Sequence, residues 1–256
     1  MRNFRLIARL DVKMKNLIKG VQMEGWRKVG DPAEFARRYA AEGADELMFT
    51  DVVASLYERN SLHDIVRAVA AEIFVPMTIG GGVRTLSDVS ELLSCGADKV
   101  ALNTAATRDP ALITEISSTF GSQACVIAIE TVFHEGDWLV MTDNGRNHTS
   151  RKALEWACEV TDRGAGEIVL TAIHKEGLGK GMDLDLIGKV CDAVSVPVVA
   201  GGGLGTTEHL EEVLDQTRAS AVAIAQALHW NRLGFADLRA TLESRSIFTR
   251  PIAESA

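Results

Sequence analysis

The chain has 256 residues, 46% of them hydrophobic, and a formal net charge of −8. That apolar content can fill one large core, and the acidic balance excludes a basic nucleic-acid footprint. No apolar run approaches the ~20 residues of a membrane span. Arg2, Arg5 and Arg9 interrupt the opening, so no signal peptide is read there, and a cytoplasmic location with no membrane partner is expected.

In chain order, short β-rich apolar runs alternate with segments of helical period. The runs predict strands near 5–11, 45–50, 75–79, 98–103, 124–130, 167–172, 196–200 and 220–225. Helices are predicted near 32–42, 60–72, 85–95, 110–119, 151–163, 183–193, 206–214 and 235–243. Eight strand–helix units at this length predict an α/β chain folded as a single (β/α)8 TIM barrel over 1–256. The strands are continuous apolar runs, as suits strands buried on both faces. An open doubly wound sheet is the rival reading. Residues 245–256 read as a mobile or loosely docked tail. Cys95, Cys125, Cys158 and Cys191 lie far apart with no CxxC or histidine spacing. They predict free thiols, most of them buried, and neither a metal site nor a cofactor is expected.

Two connections are long. Residues 12–31 carry Lys13, Lys15, Lys19, Arg27 and Lys28, and residues 131–150 contain EGD flanked by apolar residues, which predicts a small hairpin. Both leave the C-terminal ends of strands, where barrel active sites lie.

The chain is internally doubled. VPMTIGGGVRTLSD at 75–88 recurs as VPVVAGGGLGTTEH at 196–209, with Gly82 and Gly203 121 residues apart. GADELMFTD at 43–51 matches GAGEIVLTA at 164–172 at the same offset, and LIARLD at 6–11 matches CVIAIE at 125–130. Half-barrels of about 1–121 and 122–244 follow, closing with a pseudo-twofold axis. A doubly wound sheet gives no reason for a matched second half.

The repeat sets chemistry as well as fold. Each triple-glycine turn lets backbone approach a ligand ahead of a helix start, which suits a phosphate; as a bare motif it is also an ordinary turn. Asp11 and Glu130 end equivalent strands and face each other across the mouth, which suits a general acid and a general base. Their plainer role is to cap a loop or pair with Lys13 or Lys19. Asp51, Thr171 and Glu176 stand where they could orient a substrate, and Lys19 where it could close over an anion or lie solvated. Two symmetric anion turns flanking two carboxylates predict an extended ligand with a phosphate at each end. Arg5, Glu46, Lys99 and Glu167 open strands 1, 2, 4 and 6, and charges there need partners. They form either a structural salt-bridge cluster or a gate for a small molecule entering from beneath.

Taken together, RLIARLDVK, GDPAEFARRY, GADELMFTD, IGGGVRTLSD, GADKVALNTAA, FGSQACVIAIE and RGAGEIVLTAI resemble the cyclase subunit of imidazole glycerol phosphate synthase, from residue 4 to about 230. The resemblance implies a glutaminase subunit docked on the N-terminal barrel face, near Asp98. Its ammonia would pass the gate of Arg5, Glu46, Lys99 and Glu167 and travel up the barrel. At the top it would react with a ribulosyl-aminoimidazole bisphosphate, giving imidazole glycerol phosphate and an aminoimidazole carboxamide nucleotide. The resemblance also implies Asp11 and Glu130 as the acid/base pair. Gly82, Asn103 and Thr104 would hold one phosphate; Gly177, Gly203, Ala225 and Gln226 would hold the other.

The departures cluster at the top. The family carries Asp where this chain has Glu130, and DRDGT where this chain has HKEGL at 174–178. Arg9 stands where the family prefers Cys or a small residue, and Gly201 and Gln226 each replace a Ser. A kept ammonia path with an altered top also matches diverged relatives that install amidino groups on sugars for surface polysaccharide. A non-catalytic barrel that activates a glutaminase is the third reading. An isomerase like the related histidine-pathway barrel needs no ammonia gate.

Overall fold

The computed structural model describes residues 3–54 and 62–252. Eight parallel strands close on themselves: β1 (Arg5–Lys13), β4 (Glu46–Asp51), β5 (Met77–Gly80), β6 (Lys99–Leu102), β7 (Cys125–His134), β10 (Glu167–Ala172), β11 (Val198–Gly201) and β12 (Ala221–Ile224). The ring is β1-β4-β5-β6-β7-β10-β11-β12, with β12 returning to β1 through Arg5↔Ala221 to Ala8↔Ile224. The chain is therefore a (β/α)8 barrel, and the doubly wound alternative is excluded.

Alternation along the strands builds two cores. Leu6, Ala8 and Leu10 of β1 face outward into the large layer between sheet and helices, while Ile7 faces the lumen. There it meets Met48, Ala101, Val126, Val169, Val199, Ala221 and Ala223 in a separate apolar ring. The outer layer is covered by α1 (Pro32–Glu42), α2 (His63–Ala70), α3 (Leu86–Ser94), α5 (Ala111–Phe120), α6 (Ala153–Asp162), α7 (Leu184–Ala193), α8 (Thr207–Gln216) and α10 (Phe235–Ser244). Local sequence sets their ends. Asp31 accepts hydrogen bonds from the Ala33 and Glu34 amides, with Pro32 opening α1, and Thr85 and Asp88 form a capping box on α3. Of the helix expected at 60–72, positions 60 and 61 lie outside the described residues.

The excursions are more ordered than expected. Residues 12–31 form an antiparallel hairpin, β2 (Asn16–Val21) with β3 (Glu24–Gly30), paired to the end of β1. β7 runs past Glu130 to His134 and turns into β8 (Asp137–Thr142), which pairs with β9 (Asn147–Lys152). Two short helices, α4 (Thr104–Arg108) and α9 (Gln226–His229), escape the sequence reading because one turn carries no period. The tail is a correction: through residue 252 it is docked, not loose. Asn3 bridges Phe248, and Arg250 Nη2 donates to the Ala44 carbonyl at 2.8 Å. The four cysteines form no disulfide; Cys95, Cys125 and Cys191 are buried and Cys158 is partly exposed. Among the described residues no helix is long and apolar enough to cross a membrane.

Candidate active site

The first residues of β1, β4, β6 and β10, and the barrel twist, bring four charges together on the floor. Arg5 donates to Glu46 at 2.6 Å and to Glu167 at 2.5 Å; Lys99 donates to the same two carboxylates at 3.1 and 2.9 Å. Each cation serves both anions, so the ring is closed and neutral. Asp98 lies exposed on the same face, its carboxylate accepting from the Met77 amide at 2.8 Å. Phe74, just ahead of β5, is 94% exposed there.

Above the floor comes the apolar ring, and above that the mouth. A cavity of about 310 Å³ opens on the side of β4, β5, β6 and β7 and reaches down to Met48, Ala101 and Val169 of the ring. Its rim contains the first glycine turn, Asn103 and Thr104 at the start of α4, and Arg84 and Arg108. Gly81 and Gly82 have φ of 91° and 83°. A Cβ on Gly81 would come within 2.3 Å of the Asp51 carbonyl oxygen, so only glycine lets the turn press against β4. Asn103 Nδ2 donates to the Ala128 and Met141 carbonyls at 3.0 and 3.1 Å, and Thr104 Oγ1 accepts from the Asp143 amide at 2.9 Å. Both side chains thus tie β7 and β8 to the rim. Asp51 lines the cavity and accepts from the Val53 amide at 3.0 Å.

The two expected acid/base residues differ sharply. Asp11 is 1% exposed, and its oxygens accept from Arg9 Nε and Lys19 Nζ, each at 2.9 Å. Burial pushes its carboxyl up, but the Arg9 and Lys19 charges overcome that and hold it well below the usual carboxylate range. Glu130 lines the cavity, and its Oε2 is buried without a hydrogen-bond partner. Burial pushes it up to about 7, against the pull of Arg9. Two carboxyls whose surroundings separate their proton affinities can divide acid and base duty between them. Thr171, beside Glu130 in register, accepts from Arg9 Nη1 at 3.1 Å.

Lys19 is not solvated: it is 3% exposed and ion-paired with both Asp11 and Glu176, which pairs it with Asp11 as the plainer sequence reading allowed. Despite burial, Asp11 and Glu176 raise its pKa, keeping it charged. The second cradle differs in space from the first. Glu176, Gly177, Gly203, Ala225 and Gln226 do converge there, but the space among them is about 10 Å³, room for roughly one water. The 20–22 backbone of the hairpin presses on it: the Gln22 amide donates to the Glu176 carbonyl at 2.9 Å. Gln226 Oε1 is buried with no partner. The first glycine turn therefore borders an open cavity, while the second packs tightly beneath the hairpin.

Three cavity residues escape the sequence reading. Asn144 lines the cavity with both amide atoms buried and unpartnered. DNG at 143–145 signals only a turn, and nothing in it tells that the turn leans over the barrel. Arg84 and Arg108 add cations to the rim. Arg84 directly follows the glycine turn and Val83, the one sequence signal that could have found it.

A family model described as a histidine biosynthesis protein matches residues 5–253. The chain is 55% identical over 211 residues to the imidazole glycerol phosphate synthase subunit HisF of Legionella pneumophila, covering 81% of this chain and 99% of that one. It is 45% identical over 249 residues to the imidazole glycerol phosphate synthase subunit HisF of Myxococcus xanthus (strain DK1622), covering 97% and 98%. With a family model matched along nearly the whole chain and relatives 45% and 55% identical, the chain belongs to the histidine biosynthesis protein family, here folded as a (β/α)8 barrel.

Proposed function

We propose that this chain is the cyclase subunit of an imidazole glycerol phosphate synthase, working in histidine biosynthesis with ammonia supplied by a glutaminase subunit. The observation that carries the reading is the continuous order along the barrel axis: charged floor, apolar ring, then a cavity holding Glu130. Ammonia is small and neutral enough to cross an apolar ring that an ammonium ion would not enter. At the mouth it adds to a carbonyl of the phosphorylated acceptor. That chemistry needs a group that takes a proton from nitrogen and returns one to the departing oxygen. A carboxyl near 7 does both at neutral pH. Asp11, kept anionic, offsets positive charge that develops on the adding nitrogen. The acceptor's phosphate sits on the Gly81–Gly82 turn with Arg84 and Arg108 beside it.

The glutaminase docks on the floor. Asp98 and the exposed Phe74 ring supply a polar and an apolar anchor on that face. Phe74→Asp is expected to abolish co-elution with the glutaminase while leaving ammonium-dependent turnover intact.

A second reading keeps ammonia delivery and changes the acceptor to a sugar derivative with one anionic end, for surface polysaccharide. The closed second cradle, with Glu176 in its wall, favours it. The test is turnover of the ribulosyl-aminoimidazole bisphosphate by the purified chain with an ammonium salt at alkaline pH, followed by product chromatography. Formation of imidazole glycerol phosphate supports the first reading; none at any ammonium concentration overturns it in favour of the second.

A further inference from the structure

Among the described residues, four buried polar side-chain atoms of the open cavity's lining residues have no hydrogen-bond partner in the protein. They are Glu130 Oε2, Thr50 Oγ1 and both amide atoms of Asn144. The neighbouring polar groups are already engaged: Asn103 Nδ2 on two backbone carbonyls, Thr104 Oγ1 on the Asp143 amide, and Thr171 Oγ1 on Arg9. Asn144 alone is left with two such atoms. A buried amide without partners is costly, so its partner comes from whatever fills the cavity.

The turn that carries this amide is held in place. Asp143 and Asn144 have φ of 52° and 57°, a region that Asp and Asn enter more readily than most residues. The Asp143 amide donates to Thr104 Oγ1, and its carboxylate accepts from Asn147 Nδ2 at 2.7 Å and from Arg108 Nη2 at 3.2 Å. The turn is thereby tied to α4, the same segment that carries part of the phosphate rim. In either orientation, an asparagine amide sets one donor beside one acceptor in a plane. Its complement is a group with an acceptor beside a donor, which is how asparagine pairs with the N6/N7 edge of adenine. A primary carboxamide offers the same edge.

We propose that Asn144 is a specificity-determining residue: its amide pairs edge to edge with a carboxamide on the ligand's imidazole ring, so that the cavity selects an acceptor bearing that group. The pairing deepens the acceptor reading given above and rests on it.

The experiment is calorimetry on the full chain with three probes: the aminoimidazole carboxamide ribonucleotide, the aminoimidazole ribonucleotide that lacks the carboxamide, and inorganic phosphate. The parent is expected to bind the carboxamide nucleotide at least about tenfold more tightly than the truncated one, the worth of one to two neutral hydrogen bonds. Asn144→Asp keeps the shape and tolerates the positive φ but presents only acceptors. Asn144→Gly removes the side chain and suits the same φ. Both variants are expected to lose the preference while binding inorganic phosphate as before. A residue that merely shapes the turn would lower all three affinities together and leave the preference standing, and that result overturns the proposal. A parent that binds both nucleotides alike overturns the pairing and leaves the acceptor reading intact. A parent that binds neither nucleotide overturns both.

Discussion

Glu130→Gln is expected to make the protein more stable at alkaline pH while removing its turnover. The folded chain holds the Glu130 proton until about pH 7, whereas the unfolded chain releases it near the ordinary 4.5. Between those values the native state carries more protons than the unfolded one, so this group's contribution falls as pH rises. Below the window there is no penalty; above it the full penalty applies. At about 1.4 kcal/mol per pH unit, the window corresponds to about 3 kcal/mol. Gln resembles the protonated form in shape, can still accept from the Gly145 amide and never ionises. The variant should match the parent within about 1 kcal/mol at pH 5 and exceed it by about 3 kcal/mol at pH 8.5. Asp11 has the opposite tendency, but it is present in both proteins and cancels in the difference. Urea unfolding at the two pH values reads the result, as does melting, where the alkaline gap corresponds to roughly 6–10 °C for a chain of this size. A Glu130→Gln protein no more stable at pH 8.5 than at pH 5, relative to the parent, would refute the claim that this carboxyl sits in a desolvating site.

Removing Lys99 by Lys99→Met leaves two floor carboxylates sharing one cation. The loss should be about 2–3 kcal/mol, under the value for a fully buried pair because Lys99 keeps 18% side-chain exposure. Adding Glu46→Gln restores neutrality and should recover part of it in a double-mutant cycle. Gly81→Ala forces a Cβ onto the Asp51 backbone at a φ of 91° and should cost about 1–3 kcal/mol. It should also weaken inorganic phosphate binding measured by calorimetry. Trp156→Ala, at a ring 1% exposed in the outer core, should cost about 3–5 kcal/mol by urea unfolding and leave turnover per folded molecule unchanged.

Much of the barrel is legible in the sequence alone. Apolar runs ending in Asp11, Asp51 and Glu130 had to be strands with charge at one end, because a buried strand interior rejects carboxylates. The floor was equally legible: Arg5, Glu46, Lys99 and Glu167 open strands, and the ring they form pairs every one of them. The hairpin closed at Glu135–Gly136 is legible from EGD, whereas the one over 12–31 and the added strand β9 read only as long connections. Their strands, such as NLIKGV and NHTSRK, alternate too weakly to separate from loop.

The internal repeat, read from spacing alone, specified eight strands, two glycine turns and facing acids, since periodicity and offset are properties of one dimension. It could not say that the two halves differ in use. Lys19 is neutralised between carboxylates, Arg9 spans the lumen, and one cradle is open while its twin is filled by the hairpin. Those outcomes depend on which side chains meet across a closed ring. Residues more than a hundred positions apart, such as Arg9 and Thr171, come within hydrogen-bond reach only when the sheet closes.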